Sequence, residues 1–208
     1  KQIGKLFGNS LRELGFKGSG FHYKMDNENF VFTIGIQASQ YGEKCCAEFG
    51  IQPKAVETNG FENHDFKKLK YYDCEFRTRL YANEKNSDWW NYSNNETQNI
   101  QTAKEIAELI KKQILPIIND FKQNQKILER IEISDLTNIY VKVGDKIGGM
   151  RIMNTDVRLT WVLAKCFEKS NPKKAADFAK YGLNLLKDDN RFFARKDLEK
   201  ISGIKNSA

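Results

Sequence analysis

The sequence predicts an α+β fold: an antiparallel sheet of about four or five strands packed with an N-terminal helix and a long helix, then a mostly helical C-terminal extension. Three observations carry this expectation. Short, aromatic-rich segments between Phe21 and Tyr81 alternate apolar and polar residues, as antiparallel strands packed on one face do. Helical spacing of apolar residues flanks that run, from Ile3 to Leu14 and from Ile100 to Phe121. Beyond residue 122 the apolar positions again recur mostly at helical intervals.

Taken in order, Ile3, Leu6, Phe7, Leu11 and Leu14 form one helical stripe, closed by Gly15 where a C-cap glycine belongs. Phe16 begins the first extended segment. Gly18-Ser19-Gly20 turns the chain into Phe21–Met25, and Asp26–Asn29 reads as a hairpin connection. The next strand puts Phe30, Phe32, Ile34, Ile36 and Ala38 on one face, with Val31, Thr33, Gly35, Gln37 and Ser39 on the other. Its successor alternates Cys45, Ala47, Phe49 and Ile51 against Cys46, Glu48 and Gly50. After a polar stretch over residues 57–70, Cys74, Phe76, Thr78 and Leu80 alternate with Glu75, Arg77, Arg79 and Tyr81. The second face of these strands is expected to be solvated.

Asn91–Gln98 reads as a loop, and the helix after it would carry a capping box at Thr102-x-x-Glu105 if it began one turn late. Pro116 is expected to kink or end that helix, because it lacks a donor and clashes one turn back. Lys126–Ile133 is a short amphipathic piece and Ile139–Val143 an extended one. Helices follow over Leu159–Phe167, over Ala175–Leu186 with Asn171-Pro172 as cap and first residue, and over Arg191–Ile201. The division expected is a sheet domain over 1–122 and a basic helical extension over 123–208.

The bulk composition suits a soluble globular chain: 208 residues, 40% hydrophobic and 29% charged. No apolar stretch approaches a membrane span. No charged-apolar-small signal segment opens the sequence, which makes the cytoplasm the default expectation, within the limit that it begins at Lys1 rather than Met. The net charge of +7 is uneven. Residues 1–122 carry 17 basic and 16 acidic groups, and residues 123–208 carry 17 and 11. The four cysteines form no Cys-x-x-Cys pair, and His22 and His64 are the only histidines, so neither a zinc site nor a disulfide framework is expected. There is no phosphate-loop or dinucleotide fingerprint, and no cofactor is expected.

Several pieces, in this order, resemble a bacterial family of domains of unknown function, DUF4304. They are Leu14-Gly15-Phe16-Lys17 with Phe21 after it, Gln37-Ala38-Ser39, Phe49-Gly50-Ile51, Asp73-Cys74-x-x-Arg77-x-Arg79-Leu80, Asp88-Trp89-Trp90 and Ile114-Leu115-Pro116. The resemblance spans about the first 120 residues. It implies a fold but no mechanism. Glu75 stands where a histidine is common in similar sequences, which argues against chemistry by a Cys-His pair.

The candidate site follows from the strand faces. Arg77 and Arg79 share a face with Glu48, Gln37 and Ser39, and Gly35 and Gly50 would admit a close approach by a ligand or partner. Paired guanidinium groups there would suit a carboxylate, a phosphate or an acidic protein surface. Asp88, Trp89 and Trp90 offer either an aromatic anchor for a partner or closure of the core end. The leading expectation is a non-enzymatic protein-interaction module, with an immunity or accessory protein of a bacterial conflict system as one concrete form. The alternative is nucleic-acid binding by the basic tail, through Arg191, Arg195 and Lys196 around Phe192-Phe193. A third is an enzyme using His22 or Glu48 on the sheet face, although spacing gives His22 no Ser or Cys partner. No membrane partner is expected, and the pattern sets no oligomeric state.

Overall fold

The computed structural model describes residues 2–59, 62–81, 89–123, 127–150, 155–187 and 189–204. The chain divides into two compact units. One comprises Lys1–Gln52 with Phe66–Gln125, the other Pro53–Asp65 with Lys126–Ala208.

In the first unit, helix α1 (Gln2–Glu13) buries Phe7 and Leu11 completely. Gly15, at φ +89°, ends it, and the Phe16 amide donates to the Leu11 carbonyl at 3.0 Å. The strands are β1 (Lys17–Ser19), β2 (His22–Asp26), β3 (Phe30–Ala38), β4 (Lys44–Pro53), β5 (Phe76–Arg79) and β6 (Trp90–Asn91). They form a six-stranded sheet in the order β1-β2-β3-β4-β5, with β6 also pairing β4. Where pairings are resolved they are antiparallel, with Tyr23 opposite Ile34, Glu48 opposite Arg79 and Cys45 opposite Trp90. The two-residue β6 is a strand where the sequence suggested a loop.

Helix α2 (Glu96–Leu109) is capped by Asn95, whose side chain accepts from the Gln98 amide, so the late start that would have made Thr102 a cap does not occur. Thr102 instead donates its hydroxyl to the Asn91 carbonyl at 2.7 Å. Pro116 does not end the helix. A π-helical turn over Ile110–Ile114 precedes it, and α3 (Leu115–Gln123) continues beyond. The wider turn is the usual way to absorb an interrupted helical hydrogen-bond ladder. α3 thereby delivers Phe121 to the sheet, edge-on to Phe30 (4.9 Å between centroids) and Phe32 (6.2 Å).

The opposite face of the sheet departs from expectation. It is covered rather than solvated: Val31, Thr33, Cys46, Glu48, Gln52 and Glu75 are all buried. The cover is the chain's own segment from Phe66 through the 3₁₀ turn Tyr71–Asp73 to Cys74. Val31, Leu69 and Cys74 form a cluster with Phe66 against it. The two strand glycines explain the approach. A Cβ on Gly35 would lie 2.6 Å from the Tyr71 ring, and one on Gly50 would lie 2.8 Å from Cys74. Cys74 thus sits ahead of β5 on the covered face, not on the core face with Phe76. Gly35→Ala is expected to cost about 1–3 kcal/mol by overpacking. In a Tyr71→Ala background that cost should fall without vanishing, because the Phe21 carbonyl oxygen would still lie 2.9 Å from the added Cβ, and a urea double-mutant cycle would read the difference.

The second unit opens with 3₁₀ turns at Ile127–Arg130 and Ile133–Asn138. Ile139–Val143, expected to be extended, is a π-helical turn running into the short α4 (Gly144–Lys146). Helices α5 (Asp156–Phe167) and α6 (Pro172–Leu186) pair as a hairpin, with Phe167 stacked on Phe178 at 5.9 Å. Asn171 caps α6 as its sequence indicated, accepting from the Lys174 amide. Helix α7 (Arg195–Ser202) begins later than the expected Arg191 and buries Leu198.

Candidate functional site

The pleat of β4 and β5 puts Glu48, Gly50, Arg77 and Arg79 on the covered face, with Arg79 opposite Glu48 and Arg77 opposite Gly50. Arg79 donates from Nε to Glu48 Oε1 at 2.9 Å. Its guanidinium also lies 5.7 Å from the Trp89 ring centroid. Glu48 is only 8% exposed, so this ion pair keeps a buried carboxylate from standing uncompensated. Arg77 reaches the Tyr72 carbonyl at 3.3 Å. Tyr72, 48% exposed, packs edge-on against the buried Tyr71 at 5.2 Å. The result is a contiguous patch of Arg77, Arg79, Trp89 and Tyr72 at the border of the covering segment.

Other expected residues are not part of that patch. Trp90 turns into the core and is 4% exposed, so of the two roles open to the Trp pair this ring takes closure of the core end. Gln37 is exposed near the end of β3, with its Oε1 3.9 Å from the Cys46 sulfur. Ser39 uses its Oγ to accept from the Tyr41 amide in the β3–β4 turn. Asp88 lies outside the described residues. In the second unit, Arg191 is held in a fork by Asp189 (2.9 and 3.1 Å). Arg195 pairs with Glu199 at 2.9 Å and donates to the carbonyls of Lys187 and Asp189. Lys196 is exposed. Phe193 packs edge-on against Trp161 at 5.1 Å, docked within its own unit.

The titratable groups near the sheet are tuned by burial. Burial pushes the Cys74 thiol up to about 12, against the lowering effect of its contact with Thr33. Burial, with Cys46 adding to it, raises Cys45 to about 12 as well. Tyr71 rises to about 12, first through burial and then through the Glu48 carboxylate. Such thiols are protonated at neutral pH and make poor nucleophiles. His22 is held below its ordinary range by burial and then by the Lys70 ammonium, with Asp73 opposing. Its ring stacks on Tyr71 at 6.0 Å.

The sequence profile described as a domain of unknown function (DUF4304) matches residues 7–120, more than half of the chain. The chain belongs to the DUF4304 family. The matched span runs from within α1 into α3, so it includes the Arg77, Arg79 and Trp89 patch. No curated protein and no solved structure matches the chain. No described helix is long and apolar enough to cross a membrane, and no described group of His, Cys, Asp or Glu is arranged to hold a metal.

Sequence reasoning missed Tyr71, Tyr72 and the approach of His22 to both. The signal was present. Two glycines on the polar side of adjacent strands call for something bulky above them, and the Tyr-Tyr pair stands immediately before β5.

Proposed function

We propose that this chain is a non-enzymatic, cytoplasmic protein-interaction module that presents the Arg77–Arg79–Trp89–Tyr72 patch to an acidic surface of a protein partner. One form this takes is an immunity or accessory protein of a bacterial conflict system. The observation that carries the reading is the composition and setting of the patch. Arg, Trp and Tyr are the residues that dominate binding hot spots, and here a guanidinium is held against an indole at the edge of a rigid sheet. The thiol on this side of the sheet, Cys74, is buried and protonated, which fits binding better than nucleophilic chemistry.

The test is recovery of a partner from the native host, after nuclease treatment, by wild type and by Glu48→Gln/Arg77→Ala/Arg79→Ala. The Glu48→Gln change matters, because Arg79→Ala alone would strand a buried carboxylate and confound binding with folding. A protein retained by wild type and lost from the variant is the expected result. Equal retention by both would remove this face from the function. Nucleic acid recovered without nuclease, and indifferent to these substitutions, would move the function to the basic tail.

A further inference from the structure

A cavity of about 260 Å³ lies on the covered side of the sheet, at its β1–β2 end and away from the Arg79–Trp89 contact. Lys17, Lys24, Lys67, Lys68, Lys70 and His22 line it, and no carboxylate does among the described residues. The first unit carries 16 basic and 13 acidic groups, an excess of three, so five lysines without a carboxylate in the lining exceed what its overall charge would supply. It brings together two lysines of the β1–β2 hairpin and three from a segment more than forty residues later. Stacking one sign of charge around a concave wall costs stability, and a bound counter-charge relieves it.

We propose that this cavity is a binding site for a small phosphate-bearing anion of the oligophosphate class. Lysine ammonium groups recognise phosphate as point charges and do not need the planar geometry that carboxylate recognition by arginine exploits. Two of these groups are preorganised. Lys24 Nζ donates to the Phe66 and Lys67 carbonyls at 3.0 and 2.6 Å, which fixes its position over the sheet and leaves a third proton for a ligand. His22 is fixed by its stack on Tyr71, and its Nδ1 is buried without a hydrogen-bond partner. The Tyr71 and His22 rings give the cavity an aromatic side. The volume is below that of a typical drug-sized site, and suits a di- or triphosphate group rather than a whole cofactor.

The charged groups around His22 set its response. Burial first and then Lys70 disfavour its protonated form, while Asp73 favours it, and the Tyr72 ring stands edge-on to it at 6.3 Å. Lys17, Lys24, Lys67 and Lys68 add positive charge from β1, β2 and the covering segment. An oligophosphate entering here reverses the local field, so His22 takes up a proton as the anion binds.

His22 and His64 are the only histidines, which makes the imidazole proton resonances a direct readout. The experiment titrates wild type with tripolyphosphate, with ATP and with citrate at fixed ionic strength, following both histidines by NMR. The expected result is a saturable shift of His22 and an upward move of its pKa, with His64 unmoved and citrate much weaker. Lys17→Gln/Lys68→Gln, at two exposed positions, should weaken binding at least about tenfold. Lys70→Gln is a second variant should the first fold poorly. Response to ATP as well as tripolyphosphate identifies a nucleotide's phosphate chain as the source, and response to tripolyphosphate alone identifies a free oligophosphate. No His22 shift, equal shifts at His64, equal binding of citrate, or full binding by well-folded variants would overturn the proposal.

Discussion

Raising the pH above about 9 is expected to destabilise this chain steeply, through thiols rather than through surface charge. Cys45 and Cys74 are both buried, with their ionisation pushed from 9.0 up to about 12. In the unfolded chain each releases its proton near pH 9, whereas the folded chain retains it. The stability they contribute is therefore fully present below pH 9.0 and is lost as the pH rises toward about 12. Each such group adds a slope of about 1.4 kcal/mol per pH unit in that window. Tyr71, raised from 10.0 to about 12, acts in the same direction over a narrower range. With a total folding stability of about 5–15 kcal/mol typical of domains, two such slopes bring unfolding within reach below the folded pKa values. The measurement is the urea midpoint followed from neutral pH to about 11. Lysines titrate in the same range, so the decisive comparison is with Cys45→Ala/Cys74→Ala. Its stability should fall with pH less steeply, whatever its value at neutral pH. Parallel curves would mean that the folded chain does not hold these protons.

The core face of the sheet was legible because alternation is a direct record of the pleat. Phe30, Phe32, Ile34, Phe49, Ile51 and Phe76 were read on that face, and all are buried. The opposite face was misread for a physical reason. Alternation shows which side of a strand is apolar, but not whether the polar side meets water or the chain's own backbone. Thr33, Glu48 and Gly50 look the same in sequence under either condition. Glycine held the missing information: Gly35 and Gly50 did mark a close approach, made by Tyr71 and Cys74. The helix through Pro116 shows a similar limit. A proline's missing donor is visible in sequence, whereas the π turn that accommodates it is a backbone event with no composition of its own. Of the candidate patch, Arg77 and Arg79 were singled out by strand alternation and Trp89 by its motif, while Tyr72 fell between a stretch read as polar and an alternation that begins at Cys74. Charge was the most misleading quantity in linear form. Its excess lies in the tail, where Arg191 and Arg195 are spent on internal partners. A convergence of five lysines is instead made by folding in the first unit, where basic and acidic groups are nearly balanced along the chain.

That same unit depends on one ring reaching across from α3. Phe121 is fully buried, at the centre of edge-to-face contacts with Phe30 and Phe32, and α3 reaches it only because the helix survives Pro116. Phe121→Ala is expected to cost about 3–5 kcal/mol, combining lost transfer free energy with a cavity the stiff sheet cannot collapse. Phe121→Leu keeps most of the volume and should lose clearly less, the difference reporting the ring contacts. Lys112→Ala, at an exposed position of the π turn, should change stability by no more than about 0.5 kcal/mol. Urea midpoints of the three variants decide the matter. A Phe121→Ala loss no larger than that of Lys112→Ala would mean that α3 is not anchored to the sheet through this ring. The full loss would show that the π turn before Pro116 has a structural purpose, since it carries the helix far enough to seat the aromatic cluster on which the sheet rests.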